Sequence, residues 1–98
     1  MKRQYMVTFE LPDPMPMEFI RLIPEQRNMI NYLLAEGIVK SYALSADRST
    51  LWMIILEDSE FDVLDRVTQM PLSDYLIPEV SELAFVDSQE RVLEFSLN

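Results

Sequence analysis

Residues 38–57 read Ile-Val-Lys-Ser-Tyr-Ala-Leu-Ser-Ala-Asp-Arg-Ser-Thr-Leu-Trp-Met-Ile-Ile-Leu-Glu. A short polar link, residues 47–49, divides the stretch into two segments that predict a β-hairpin. The first segment, residues 38–46, alternates between apolar and polar side chains. The second, residues 50–57, is apolar on both faces, which is typical of a central strand with another layer on each side. We therefore expect the 50–57 strand to lie in the middle of a sheet.

A strand and a long helix precede this hairpin. Residues 4–11 alternate between apolar and polar side chains and predict a strand, which the prolines of residues 12–16 end. Apolar residues then recur at helical spacing as far as Gly37, a residue suited to the position after a helix. Pro24 either bends one helix or begins a second. We expect one helix, from about residue 17 to residue 36, with a bend at Pro24.

A second helix and a last strand follow the hairpin. Ser59 and Asp62 have the spacing of a capping box, and Pro71 ends the helix that they begin. The last strand is expected at about residues 75–86, where Pro78 favours an edge position. The order β, α, β, β, α, β predicts an α+β fold of the ferredoxin-like type, with a four-stranded antiparallel sheet and both helices on one face. Right-handed crossovers put strands one and three in the middle.

The length of 98 residues indicates one domain, residues 1–86, followed by an apolar C-terminal arm, residues 87–98. Two helices cover one face of a sheet, so the apolar residues of its other face need a partner. Because 49% of the chain is hydrophobic, we expect a homodimer or a larger homo-oligomer. The alternating arm is expected to add to a sheet edge, in exchange with a neighbouring subunit.

Composition argues against several functional classes. With 8 basic and 17 acidic residues the net charge is −9, which disfavours nucleic acids and anionic membranes as partners and favours solubility. The chain has no Cys, no His and a single Gly, so we expect no disulfide, no metal site, no phosphate-binding glycine loop and no cofactor. The lack of a signal peptide or a long apolar run predicts a cytoplasmic protein.

Polar and aromatic residues on the predicted core faces are the candidate substrate-binding residues. Gln26 and Arg27 interrupt the apolar side of the first helix, and buried polar groups must find partners. They bind either a polar substrate group in a cleft between helix and sheet, or the backbone and solvent. Tyr42 and Trp52 lie on adjacent strands and either line that cleft or pack in the core or an interface.

Tyr75 and Glu79 are the candidate catalytic residues. Proton transfer in a chain without His would use a carboxylate, a Tyr or a Lys. We expect both side chains to lie on one strand face, where they would form an acid–base pair if burial raised the pKa of Glu79. The alternative is a solvated carboxylate on an edge strand.

Short motifs at the ends of the predicted elements resemble a known family. They are Leu11-Pro12, Met15-Pro16 opening the helix that ends at Gly37, Met70-Pro71-Leu72, Tyr75-Leu76 and Glu79-Val80. The muconolactone isomerase family has similar motifs, with Leu-Pro-Leu, then Tyr-Met and Glu-Val, and the resemblance covers about residues 5–86. It implies a dimeric α/β barrel in the bacterial cytoplasm, often assembled into rings, that moves an allylic proton on a small lactone without a cofactor.

Three functions remain open at this point. The first is an isomerase-like protein that binds a small organic molecule between helices and sheet, as the resemblance implies. The second is a non-catalytic ligand-binding or oligomeric assembly module, because one scaffold supports many functions. The third is a cofactor-free monooxygenase. The shape and lining of a pocket would discriminate between the first two.

Overall fold

The computed structural model of the chain describes residues 1–88. The predicted arm, residues 87–98, lies almost wholly outside the described residues, and its role stays a prediction. The elements follow the predicted order, with a short 3-10 turn before the last strand. They are β1 (Arg3–Glu10), α1 (Met17–Ala35), β2 (Val39–Leu44), β3 (Thr50–Glu57), α2 (Glu60–Thr68), the 3-10 turn (Ser73–Tyr75) and β4 (Ile77–Glu82).

The four strands form one antiparallel sheet in the order β2-β3-β1-β4. This confirms the α+β ferredoxin-like fold, with strands one and three in the middle. The edge position expected for Pro78 is also confirmed among residues 1–88, because Pro78 pairs with Phe9 on β1 and no other described strand pairs with β4. A strand edge tolerates proline because one side of the strand makes no ladder hydrogen bonds.

Helix α1 runs without interruption through Pro24, which confirms a single helix, whereas the bend expected at Pro24 stays a prediction. It ends in a Schellman motif, in which two backbone N–H groups beyond the helix bond back to its last turn. Ile38 N–H donates to the Leu33 carbonyl at 2.9 Å, and Gly37 N–H donates to the Leu34 carbonyl at 3.1 Å. Gly37 has φ of +76°, a left-handed conformation that favours glycine. The motif turns the chain directly into β2.

Helix α2 begins at the predicted capping box. The Ser59 hydroxyl accepts the Asp62 N–H at 3.1 Å and also lies 3.0 Å from the Asp62 carboxylate. Acidic residues in the first turn suit the positive end of the helix dipole. Within residues 1–88 no helix is both long and apolar enough to cross a membrane.

The core lies between the helices and one face of the sheet. Alternate residues of β1 and β3 point into it, and both helices contribute residues from their inner sides. Burying each of the larger side chains contributes about 1.5–3 kcal/mol. The buried apolar residues are Tyr5, Val7, Phe9, Phe19, Ile30, Leu33, Val39, Leu51, Met53, Ile55, Val63, Val67, Met70, Leu72 and Leu76.

The other side of the sheet, which we call the open face, carries apolar residues without a helix over them. Met6, Ile54 and Leu56 are half-buried there by their neighbours, whereas Trp52 is 39% exposed and Ile77 is 80% exposed. The alternation and register of β1, β3 and β4 put these five side chains on the same side. An apolar surface of this kind is typical of an interface. Self-association through it stays a prediction.

We expect Gly37→Ala to lower the free energy of unfolding by about 1 kcal/mol, because an L-residue is strained at positive φ. Apart from the two adjoining residues, no heavy atom of residues 1–88 lies within 4 Å of the Cβ position at Gly37, so the loss would come from the backbone and not from a clash. Urea unfolding of Gly37→Ala beside Gly37→Asn measures it, since Asn tolerates this conformation better. Equal stability of the wild type and Gly37→Ala would contradict the left-handed conformation assigned to Gly37.

We expect Trp52→Glu to reduce the molecular mass measured by light scattering on a sizing column, because a carboxylate on the open face opposes apolar pairing. Leu64→Glu is the matched control, since Leu64 on α2 has the same 39% exposure as Trp52. It should leave the mass unchanged. A wild-type protein with the mass of a single chain would refute the predicted self-association.

Candidate functional site

A pocket of about 730 Å³ opens between α1, the β2–β3 hairpin and the segments that follow β1 and α2. Its volume lies within the range of small-molecule sites, about 300–1,000 Å³. The fold builds it on the helix side of the sheet, where α1 leaves the β2 end of the sheet partly uncovered. Most of its wall is apolar, formed by Leu11, Met15, Phe19, Ile23, Ile30, Leu34, Leu44, Leu51 and Leu72.

Positive charge and neutral polar groups share the rest of the lining. Arg27 and Asn31 come from α1, Tyr42 from β2, and Arg48 from the turn of the hairpin. No carboxylate lines this pocket among residues 1–88, although the chain has 17 acidic residues against 8 basic ones. The pocket is therefore locally positive in a strongly acidic protein.

Neither guanidinium group of the pocket has a carboxylate partner within the described part of the chain. Arg21, on the same helix as Arg27, lies 3.6 Å from Glu18, and Arg66 pairs with Glu57. Arg27 and Arg48 make no such ion pair in residues 1–88. Arginine stays charged at any physiological pH and offers five N–H donors in a planar fork. Both side chains are thus available to a ligand.

Arg48 lies on a turn that is tightly held by hydrogen bonds. Its φ is +62°, an uncommon conformation for a residue with a side chain. The Asp47 carboxylate accepts the Ser49 hydroxyl at 2.7 Å, the Ser45 hydroxyl at 2.7 Å and the Ser49 N–H at 3.0 Å. These bonds, led by the one from the Ser49 side chain, lower the pKa of Asp47 to about 2. The nearest carboxylate in sequence is therefore engaged inside the turn.

Gln26 is buried, with 2% exposure, in the lining of the pocket. Its Oε1 accepts the Leu72 N–H at 3.1 Å, and its Nε2 donates to the Met70 sulfur at 3.5 Å. Of the two alternatives for Gln26, a bond to a substrate group or a bond to the backbone, the structure has the bond to the backbone. Gln26 lines the pocket, yet its carbonyl oxygen is used to attach the chain after α2 to α1, and so to position Leu72 in the wall.

Tyr42 is half-buried and offers the pocket a neutral hydroxyl group. Burial raises its pKa, while the neighbouring Gln26 amide and the positive charge of Arg27 oppose the rise. Since the ordinary pKa of tyrosine is already near 10, the hydroxyl keeps its proton at neutral pH. Tyr42 can therefore donate a hydrogen bond to a ligand.

The structure places the other predicted residues away from this pocket. Tyr42 pairs with Met53 and Ala43 pairs with Trp52, so Tyr42 and Trp52 lie on opposite faces of the sheet. Glu79 is exposed and pairs with Thr8 on the open face.

Tyr75 lies on the helix side, where its ring makes an edge-to-face contact with Phe19 at 5.6 Å. The expected strand face shared by Tyr75 and Glu79 is wrong, because Tyr75 belongs to the 3-10 turn and β4 begins at Ile77. Of the six predicted residues, the pocket brings together Gln26, Arg27 and Tyr42.

Sequence reasoning missed Arg48, which it treated only as part of the hairpin link. The available signal was a basic residue, Arg48, in the turn of a hairpin beside the predicted cleft. The direction of its side chain depends on the positive φ, which the sequence alone does not reveal.

A second, smaller pocket of about 230 Å³ lies between the end of β3 and α2. Glu57, Asp58, Asp62 and Asp65 line it with Arg66, and Lys2 lies 3.8 Å from Glu57. Within residues 1–88 no group of three or more acidic residues has an arrangement that could hold a metal ion. Glu57 and Asp58 make ion pairs, Asp62 lies in the first turn of α2, and Asp65 accepts a hydrogen bond from Gln69.

Comparison with known proteins adds no relative to this picture: no family model matches the chain, and no curated protein matches it. The resemblance to muconolactone isomerase therefore stays a prediction from short motifs.

We expect Asp47→Asn to weaken the turn that carries Arg48. The pKa of Asp47 falls from 3.8 to about 2 in the folded protein, so its ionised form favours folding above pH 3.8, and this contribution is lost as the pH falls through 2. The urea midpoint of Asp47→Asn should lie below that of the wild type at pH 7, and the gap should narrow towards pH 2. Asp87→Asn is the control. A difference in urea midpoint between Asp47→Asn and the wild type that does not change with pH would contradict the stabilising role of the Asp47 carboxylate.

Proposed function

We propose that the protein binds a small organic molecule with an apolar body in the pocket between α1 and the sheet. The observation that carries the proposal is the pocket itself, which joins an apolar wall to a few polar groups. Apolar walls supply affinity through burial, and a small number of polar groups orient the ligand. Arg27, Arg48 and Tyr42 are the groups in this position. We also propose that the protein acts as a cytoplasmic homo-oligomer.

The geometry favours a binding protein over the isomerase that the family resemblance implies. Abstracting a proton needs a base near the substrate. The pocket lining within residues 1–88 contains no carboxylate, and the chain has no His. The raised pKa of Tyr42 makes its hydroxyl a hydrogen-bond donor and not a base. Proton-transfer isomerisation therefore stays a prediction from the short motifs.

We expect Leu34→Trp to weaken ligand binding by about tenfold, because a larger side chain fills the pocket and overpacking costs ~1–3 kcal/mol. Naphthylacetate and naphthylacetamide are suitable probes, since both present an aromatic body to the apolar wall. NMR titration gives the Kd of each probe. Leu34 lines the pocket and is 39% exposed, so the substitution spares the core.

Leu64→Trp is the matched control, because Leu64 has the same exposure on α2 and does not line the pocket. It should leave both Kd values unchanged. The proposal fails if the wild type binds neither probe, or if Leu34→Trp and Leu64→Trp bind them equally well.

A further inference from the structure

We infer that the ligand is an organic carboxylate, with its carboxylate group held by Arg27 and Arg48 and its apolar body against the pocket wall. The inference rests on the proposed function and names the chemical class of the ligand.

The positive charge of the pocket lining favours an anionic ligand. Two guanidinium groups line the same pocket, and no lining residue of the described chain supplies a negative charge beside them. The other arginines of residues 1–88, Arg3, Arg21 and Arg66, lie beside carboxylates. An anionic ligand would supply Arg27 and Arg48 with the negatively charged partner that the other arginines find in a carboxylate of the protein.

The two arginines reach the pocket from different elements. Arg27 is on α1, and Arg48 is on the hairpin turn, which the bonds around Asp47 hold in place. Since the backbone that carries Arg48 is held, less entropy is lost when this residue binds a ligand. Each planar guanidinium can bond both oxygens of a carboxylate. Since Asp47 is engaged within its turn, it does not compete for Arg48.

A carboxylate fits the lining better than a phosphate or a cation. Phosphate sites commonly use a cradle of backbone N–H groups, often with glycine, and the single glycine of the chain, Gly37, does not line the pocket. An organic cation would meet two positive charges. A singly charged carboxylate on an apolar body matches both the arginines and the wall, and the Tyr42 hydroxyl can donate a further hydrogen bond.

The test compares probes of one shape and different charge. Naphthylacetate and naphthylacetamide share the aromatic body, and naphthyl phosphate carries the alternative anion. We expect the wild type to bind the acetate roughly tenfold or more tightly than the amide, as for a charge-assisted hydrogen bond. Arg27→Gln and Arg48→Gln should each weaken acetate binding by about tenfold to a hundredfold and leave amide binding unchanged.

Arg21→Gln is the matched control on α1, because Arg21 is exposed, pairs with Glu18 and does not line the pocket. It should bind the acetate as the wild type does. Circular dichroism and thermal unfolding without ligand show whether each variant folds. Arg27→Lys and Arg48→Lys, which keep the charge and lose the fork, should bind the acetate with intermediate Kd values.

The outcomes separate this inference from the proposed function. Equal binding of acetate and amide by the wild type, or tighter binding of the phosphate, overturns the carboxylate assignment and leaves a ligand-binding pocket in place. Acetate binding that survives in both glutamine variants also overturns it. If neither the acetate nor the amide binds, the proposed function itself fails, and the inference falls with it.

Discussion

The antiparallel pairing of β1 with β3 is the constraint on which the rest of the structure depends. It runs without a break from the pair Arg3–Glu57 to the pair Glu10–Thr50, and it decides which side chains meet the helices. Just beyond its end, the Leu11 N–H donates to the Ser49 carbonyl at 2.9 Å. That bond brings the hairpin turn beside the segment that leads into α1. The pocket exists because these two segments leave the sheet at the same end.

A buried amide connects this region to the second half of the chain. Gln26 offers its carbonyl oxygen to the Leu72 N–H, across a sequence separation that local structure cannot span. An unpaired amide in the same place would cost several kcal/mol, so the bond fixes how the segment after α2 meets α1. The same bond therefore supports both the apolar wall of the pocket and the packing of the two halves of the chain. A change at Gln26 would affect both.

Local signals in the sequence predicted most of the fold. Gly37, the Ser59–Asp62 capping box, Pro78 and the doubly apolar strand at residues 50–57 each act through short-range chemistry, and each indicated the correct element or strand order. Helical periodicity likewise put Arg27 on the pocket side of α1. The face of a strand residue was harder to predict, since a one-residue shift moves a side chain across the sheet. The irregular pairing between Val39 and Ser41 separates Tyr42 from Trp52 in this way.

The open face has a spectroscopic consequence. Trp52 is the only tryptophan of the chain, and it lies on the opposite side of the sheet from the pocket. Its fluorescence therefore reports the polarity around the open face and not the occupancy of the pocket. A shift of the emission maximum with protein concentration would follow the covering of that face, whereas a ligand in the pocket would leave the emission largely unaffected. The two surfaces of the sheet can thus be observed separately, without introducing a label.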